Sequence, residues 1–540
     1  MKRFETWWKE GVIYQIYPRS FRDSNHDGIG DLKGIIESLE YLQWLGICAI
    51  WLSPVYLSPM KDFGYDIEDY RIIDPLFGSN EDMYELIEAA HAKGIRIIMD
   101  MVINHTSDRH RWFIESASSI DSKYRNFYMW HDAPSRKKPN NWKAAFGGSA
   151  WEFDKHSSQY YLHSFLASQP DLNWRNPDVE KAIFNEMAFW LDKGVDGYRL
   201  DVINLIVKDA LFRDNPKTIG ETIRAYDMQR HVYDRDQNET HNVLRRMRSM
   251  TEHYDKRMLV GEIMVEKPGN PEMTASYQGN GNDELHLTFN FAYNWIAWDA
   301  LRWRKEAEHW YRALKDERWP SWVLSNHDVK RSITRFGNDV QRAKISALFL
   351  LTQRGTPFLY YGEEIGMQDK PVAPWEIKDP VGRHYWPFHP GRDGQRRPMQ
   401  WNSDAGFGFS TVKPWLPYHP DAKKNTVEQQ KHEKNSLLHL YHDLIAIRNH
   451  DEALRLGTIR FLDHEQADVL AYVREYGQIS RLVLLNFSKD ARQIPLSLIA
   501  QGTQDAAFRV IFNTTSSLVE TTDTHLVLGG YQGLLLCEGE

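Results

Sequence analysis

Gly197-Tyr-Arg-Leu-Asp-Val-Ile-Asn204 follows Trp190-Leu-Asp-Lys-Gly-Val-Asp196 and reads as a helix closing at Gly194, then a buried strand ending in polar residues. Residues two apart in a strand share a face, so Arg199 and Asp201 project together while Tyr198 and Leu200 point the other way. A guanidinium there keeps a carboxylate ionised and oriented, as a nucleophilic carboxylate requires. Taken alone, the pair is more simply a structural ion pair at a strand end. The rest of the chain has to decide.

Outward from this strand, short apolar runs alternate with amphipathic helices. They are Gly11 to Pro18, Ile47 to Pro54, Ile95 to His105, Asp196 to Ile203, Met258 to Met264, Leu287 to Phe291, Ser321 to Asp328 and Thr356 to Glu364. Strand and helix in alternation give parallel strands, and eight such units give an α/β fold of the (β/α)8 TIM barrel type, with its site where the strand C-termini converge. The helix before the third strand has Ser79 as N-cap, Asp82 at its third position, Met83, Leu86, Ile87 and Ala90 on one face, and Gly94 closing it. Between 105 and 172 the rhythm fails in a stretch rich in Trp, Tyr, Gly and Pro, which we read as a subdomain inserted after strand three. Residues 1–104 and 173–456 are then the two parts of the catalytic barrel. From about Gly457 the pattern turns all-β, so 457–540 is expected to form a C-terminal antiparallel β-sandwich domain.

Composition excludes several classes. A chain of 540 residues, 42% hydrophobic, can build two or three domains around a large core. Its net charge of −8, with mixed signs and no long basic run, argues against nucleic acid and anionic membranes as partners. Twenty Trp, 26 Tyr and 24 Phe suit stacking on sugar rings but equally fill large cores. Cys48 and Cys537 are too few for a disulfide framework. With no apolar leader at Met1 and no run of 18 apolar residues, a cytoplasmic monomer or small homo-oligomer is expected.

If the barrel forms, three acids at strand ends converge: Asp201, Glu262 and Asp328, joined by His105, Arg199 and His327. Two carboxylates across a pocket are the minimal apparatus for glycosidic bond cleavage. Glu262 is flanked by Val260, Ile263 and Met264, an apolar setting that favours the protonated acid/base, while Arg-paired Asp201 is the nucleophile. Asp328 would orient ring hydroxyls and favour the oxocarbenium-like transition state. A strand-end histidine is by itself more often simply hydrogen-bonded than catalytic, and Phe146, Trp151 and Trp401 can equally be packing.

Asp100-Met-Val-Ile-Asn-His105, Gly197 to Asn204, Val260-Gly-Glu-Ile263 and Ser325-Asn-His-Asp328 resemble, in order and at strand ends, the four signature regions of the α-amylase superfamily (glycoside hydrolase family thirteen). Gly46 to Pro54, Gln169-Pro-Asp-Leu-Asn173 and Gly362-Glu-Glu-Ile-Gly-Met367 support it, so the likeness spans essentially the whole chain. The resemblance implies a retaining α-glycoside mechanism with Asp201 as nucleophile, Glu262 as acid/base and Asp328 as transition-state stabiliser. Gln15 to Phe21, Phe63-Gly-Tyr65-Asp66, Phe146-Gly-Gly-Ser-Ala-Trp151 and Gly391 to Trp401 are more similar to the exo-acting α-glucosidases and oligo-1,6-glucosidases. In that group residues matching Asp66 and Arg396 close the pocket over one terminal glucose, and here Arg397 stands where relatives usually carry Thr. The substrate implied is a small α-glucoside oligosaccharide, bound by Asp66, Tyr65, His105, Phe146, Arg199, His327 and Arg396.

Asp23, Asn25, Asp27 and Asp31, with the Ile29 carbonyl, place oxygen donors at alternating positions, half of an EF-hand-like loop without the bidentate Glu. The same spacing also makes an Asx-rich turn needing no metal. The resembling α-glucosidases often hold Ca²⁺ or Mg²⁺ in this loop, which implies a structural ion and no catalytic cofactor. Val202 accompanies α-1,6 specificity in that group, whereas Asp209 to Pro216 and Tyr226 to Tyr233 look like α-1,4-acting or transglucosylating relatives. The expectation is therefore an α-glucosidase leaning to α-1,6 linkages. Its rivals are an α-1,4 enzyme, a transglucosylase or sucrose isomerase, and more remotely a non-catalytic transporter-ancillary protein, which would lack the catalytic acids.

Overall fold

The computed structural model describes residues 4–220, 222, 224–265, 269–315, 317–503 and 508–539. Eight strands, β1 (Ile13–Ile16), β2 (Ala49–Leu52), β3 (Arg96–Met101), β4 (Gly197–Leu200), β5 (Met258–Gly261), β6 (Leu287–Thr288), β7 (Ser321–Val323) and β8 (Thr356–Tyr360), form one parallel sheet. Neighbours in sequence are neighbours in space, and β1 pairs with β8. Between β6 and β7 the Ser321 hydroxyl donates to the Thr288 carbonyl at 2.8 Å.

Strand period sets two cores. Ile13, Ala49, Trp51, Ile98, Met258, Val260, Leu287 and Phe358 share an apolar cluster inside the barrel. Their alternates Tyr14, Ile16, Ile50, Leu52, Ile97, Met99, Tyr198 and Leu200 join the larger cluster beneath the helices. Strands buried on both faces read as continuous apolar runs, which is why they stand out in the sequence. Eight of the twenty tryptophans are among the largest fully buried side chains, so much of the aromatic content fills cores.

The helix Asn80–Ala92 starts with the reciprocal Ser79–Asp82 capping box and buries Met83, Leu86, Ile87 and Ala90. After β3 comes a separate three-stranded antiparallel sheet (Trp130–Asp132, Trp151–Asp154, Gln159–Leu162), around Met129, Trp142, Trp151 and Tyr160. Beyond Gly457 a five-stranded and a three-stranded antiparallel sheet share a core of Val469, Val473, Leu484, Ile494, Leu526 and Leu536. Leu470, Tyr472, Val483 and Leu535, on the opposite face, pack into the barrel's outer core. The all-β expectation misses one helix, Leu496–Thr503, whose Leu498 and Ile499 complete the sandwich core.

The strands are shorter than the apolar runs suggested. β5 ends at Gly261, β6 at Thr288 and β7 at Val323. Glu262 lies just beyond β5 with its N–H still donating to the Leu200 carbonyl at 2.9 Å, and Asp328 lies in the segment after β7; both side chains line the cavity at the barrel mouth.

Candidate active site

β3, β4 and β5 place a guanidinium among three carboxyl groups. Asp100 and Arg199 are partners in the β3–β4 register, and Arg199 is partner to Val260 in β5. Arg199 Nη1 donates to Asp100 Oδ1 and Asp201 Oδ1, each at 2.7 Å, while Nη2 donates to Glu262 Oε2. Tyr65 OH and Trp51 Nε1 donate to Asp100 Oδ2 at 3.1 and 3.2 Å. Arg199 is thus shared among three acids, not dedicated to Asp201 as the strand alone suggested.

One positive charge cannot satisfy three buried negative ones. Burial pushes the Asp100 carboxyl up to about 6 against the pull of Arg199. Burial also pushes Asp201 well up; Arg199 opposes this, while Glu262, Asp100 and Asp328 add to it. Burial thus opposes ionisation of both Asp100 and Asp201, with Arg199 as the opposing charge. Asp201, not Glu262, has the more buried side chain, 9% against 16% exposed. Of the apolar neighbours that marked Glu262 in the sequence, Ile263 and Met264 line the same cavity and Val260 packs inside the barrel.

Asp328 has the opposite surroundings. Arg392 Nη1 and Arg396 Nη2 each donate to its Oδ1 at 2.9 Å, and His327 Nε2 lies 3.2 Å from its Oδ2. Burial works against the charge, but the Arg392 and Arg396 guanidinium groups outweigh it and hold Asp328 well below the usual carboxylate range. Burial lowers His327 to about 3, so its ring is neutral. Gln15 Nε2 lies 2.8 Å from His327 Nδ1, which places the ring hydrogen on Nε2, facing Tyr65 OH at 2.8 Å.

The pocket-closing pair is corrected. Asp66 is fully buried and accepts from Ser58 Oγ and the backbone N–H groups of Lys61 and Asp62, at 2.8 to 3.0 Å. It caps a turn, kept open by Gly64 at φ +105°, that carries Asp62 and Tyr65 forward. Asp62 is the pocket carboxylate, and Arg392 Nη2 donates to its Oδ1 at 3.0 Å. Arg396, 1% exposed, lies behind, holding Asp328 and the His327 carbonyl. Arg397 donates instead to the carbonyls of Lys370, Pro417 and Tyr418, tying two loops together. Arg392 lies in the quoted Gly391 to Trp401 stretch and Asp62 just before the quoted Phe63, but spacing alone does not say which acid or which arginine faces inward.

A cavity of about 490 Å³ joins Asp62, Tyr65, His105, Phe146, Asp201, Glu262, Asp328 and Arg392. Phe165 and Asn326, which the sequence reading missed, also line it. Phe146 faces the Arg392 guanidinium, 5.1 Å from its ring centroid. Burial lowers His105 to about 4, and its Nε2 faces the Tyr65 carbonyl at 3.0 Å. The outer wall is built by Thr218, Ile219, Tyr226 and Arg235 of the long segment after β4. Val202 also lines the cavity and has φ +36°, a left-handed conformation that a β-branched residue tolerates only under constraint.

Asp62 gives a pH signature. Burial pushes its carboxyl up to about 6, against Arg392. As pH falls through that value it gains a proton and stops accepting from Arg392 and from sugar hydroxyls. KM of the wild type is expected to rise as pH falls from 7 to 5. In Asp62→Asn it should be high and flat over that range, whereas a parallel rise in the variant would discard the assignment.

The Asp23–Asp31 loop carries only hard oxygen donors at alternating positions, and Asp23 and Asp31 are buried. Asp23 Oδ1 accepts from His26 N and its Oδ2 from Gly28 N, while Asp31 Oδ1 caps the following helix through Gly34 N. Gly28, φ +90°, makes the bend against the Lys413 carbonyl, where a Cβ would sit 2.4 Å away. The donor set and the tight turn fit a hard cation.

A family model described as the alpha amylase catalytic domain matches residues 15–457. The chain belongs to the α-amylase family. This α-amylase family chain is 40% identical to a probable alpha-glucosidase of Rhizobium meliloti (strain 1021), over 91% of each protein. It is 39% identical to an oligo-1,6-glucosidase of Parageobacillus thermoglucosidasius, covering 89% of this chain and 91% of that one. Among solved structures it superposes on the alpha-glucosyl transfer enzyme XgtA with a TM-score of 0.92, at 38% identity and 99% coverage of both chains.

Proposed function

We propose that the protein is a retaining, exo-acting α-glucosidase that removes terminal α-glucosyl residues from short oligosaccharides. The observation carrying this reading is that Asp201 and Glu262 sit on neighbouring amino groups of one guanidinium. That arrangement favours the short gap of about 5 Å that retention uses, rather than the wider gap that admits a water between the acids. Asp201, the deeper acid, attacks the anomeric carbon and forms a glucosyl ester. Glu262, nearer the mouth, protonates the departing oxygen and then takes a proton from the water that cleaves the ester. Asp328, kept ionised by two arginines, stabilises positive charge on the ring. Asp62 and Arg392 hold the terminal glucose.

Val202 beside the nucleophile, together with the oligo-1,6-glucosidase relatives, supports a lean to α-1,6 linkages. A transglucosylase is the second reading, supported by the long wall after β4 and by the likeness to an alpha-glucosyl transfer enzyme. Glucose release from isomaltose, maltose and sucrose, with Glu262→Gln as control, tests the proposal. Isomaltose preference supports the α-1,6 lean, and transfer products in excess of glucose would favour the second reading. No turnover of any of the three would overturn the function.

We also propose that Asp23, Asn25, Asp27, Asp31 and the Ile29 carbonyl hold Ca²⁺ or Mg²⁺ as a purely structural ion. It would neutralise charge on the Asp23, Asp27 and Asp31 carboxylates. Chelation should lower Tm by several degrees, reversibly on adding Ca²⁺, and Asp23→Ala should lose the response. A wild-type Tm indifferent to chelator would refute it.

A further inference from the structure

The helix Leu437–His450 packs on the outside of the barrel and places His439, His442 and Asp443 at positions i, i+3 and i+4, on one face. One ligand atom of each lies within 4.8 Å of the others, and no other such trio of His, Cys, Asp or Glu occurs among the described residues. None of the three lines the pocket.

Each imidazole has one nitrogen engaged and one available. His439 Nε2 faces the Lys431 carbonyl at 2.9 Å, so it carries the hydrogen and leaves a lone pair on Nδ1. His442 Nδ1 faces Asp443 Oδ1 at 2.8 Å, leaving its Nε2 lone pair. Carbonyl and carboxylate partners of this kind orient metal-binding histidines. Trp44, from the helix Leu39–Leu45, fixes the rings: His442 stacks on it at 4.5 Å and 15°, and His439 meets it edge-on at 6.0 Å.

We propose that this face binds one divalent transition ion of the Zn²⁺ class. His439 and His442 are its nitrogen ligands, and Asp443 either completes the set or orients His442, with solvent in the open positions. Two imidazoles and a carboxylate select such an ion over Ca²⁺ or Mg²⁺, which take oxygen ligands. The Lys431 ammonium, 4.7 Å from the Trp44 ring, works against a second cation and limits the affinity.

Calorimetric titration of the full chain with Zn²⁺, in saturating Ca²⁺, should show one saturable site. His442→Ala should abolish it, and Asp443→Asn should weaken it about tenfold or more, with glucose release by the metal-free variants unchanged. Cu²⁺ loaded in place of Zn²⁺ should show two-imidazole coupling in its paramagnetic resonance spectrum, reduced to one in His439→Ala. Absence of saturable Zn²⁺ binding, or wild-type binding by His442→Ala, overturns the proposal. An unchanged copper spectrum in His439→Ala overturns it equally.

Discussion

Replacing Asp201 by Asn is expected to lower kcat by about 10⁴-fold or more while leaving Tm at or above the wild-type value. The side chain keeps its shape, so a collapse of activity cannot come from lost packing. Asp201 is also one of three carboxyls competing for Arg199, and burial raises its pKa, so removing its charge relieves repulsion among buried groups. A merely structural ion pair predicts the reverse, modest activity loss with a marked fall in Tm. Glu262→Gln is expected to lose most turnover as well, but to accumulate a covalent glucosyl enzyme when the substrate has a leaving group that needs no proton. Mass spectrometry reads that species directly, and its failure to appear with any activated substrate would remove Glu262 from the acid/base role.

Arg199→Met is expected to destabilise the fold by about 3–5 kcal/mol at pH 7 and to abolish activity. Arg199 is fully buried, and its loss leaves Asp100, Asp201 and Glu262 without their shared cation. The pH dependence separates this electrostatic cause from lost packing. Asp100 and Asp201 have folded-state pKa values raised above their unfolded ones, so the folded state binds more protons. Stability from such groups is present at low pH and lost as pH rises through the folded value, about 6 for Asp100. Removing Arg199 pushes these values higher still, so Tm of the variant should rise between pH 8 and pH 5. A Tm deficit constant with pH would mean that Arg199 contributes mainly by filling space.

The barrel was legible because strands buried on both faces stand out as apolar runs, and because each helix carries its own signals, as Ser79 and Asp82 do. Asp201, Glu262 and Asp328 were legible because polar residues at the ends of such runs have few other reasons to be there. The pocket partners were harder. Asp62 and Asp66 are four residues apart in one turn, as are Arg392 and Arg396 in another. Which member faces the cavity depends on how each turn folds, and composition is silent on that. The Leu496–Thr503 helix escaped for a similar reason, since a short apolar run reads equally as helix or strand until its neighbours are known.

By itself the sequence determined the eight strands, the inserted subdomain, the C-terminal sheets and the acids that meet at the barrel mouth, because periodicity and strand ends are local properties. The tertiary structure alone decided that Arg199 serves three acids, that Asp62 and Arg392 line the cavity while Asp66 and Arg396 support them, and that Asp201 lies deeper than Glu262. Those facts depend on which side chains from distant strands share one volume and one charge. Burial and electrostatic pairing are properties of that volume, not of any stretch of chain.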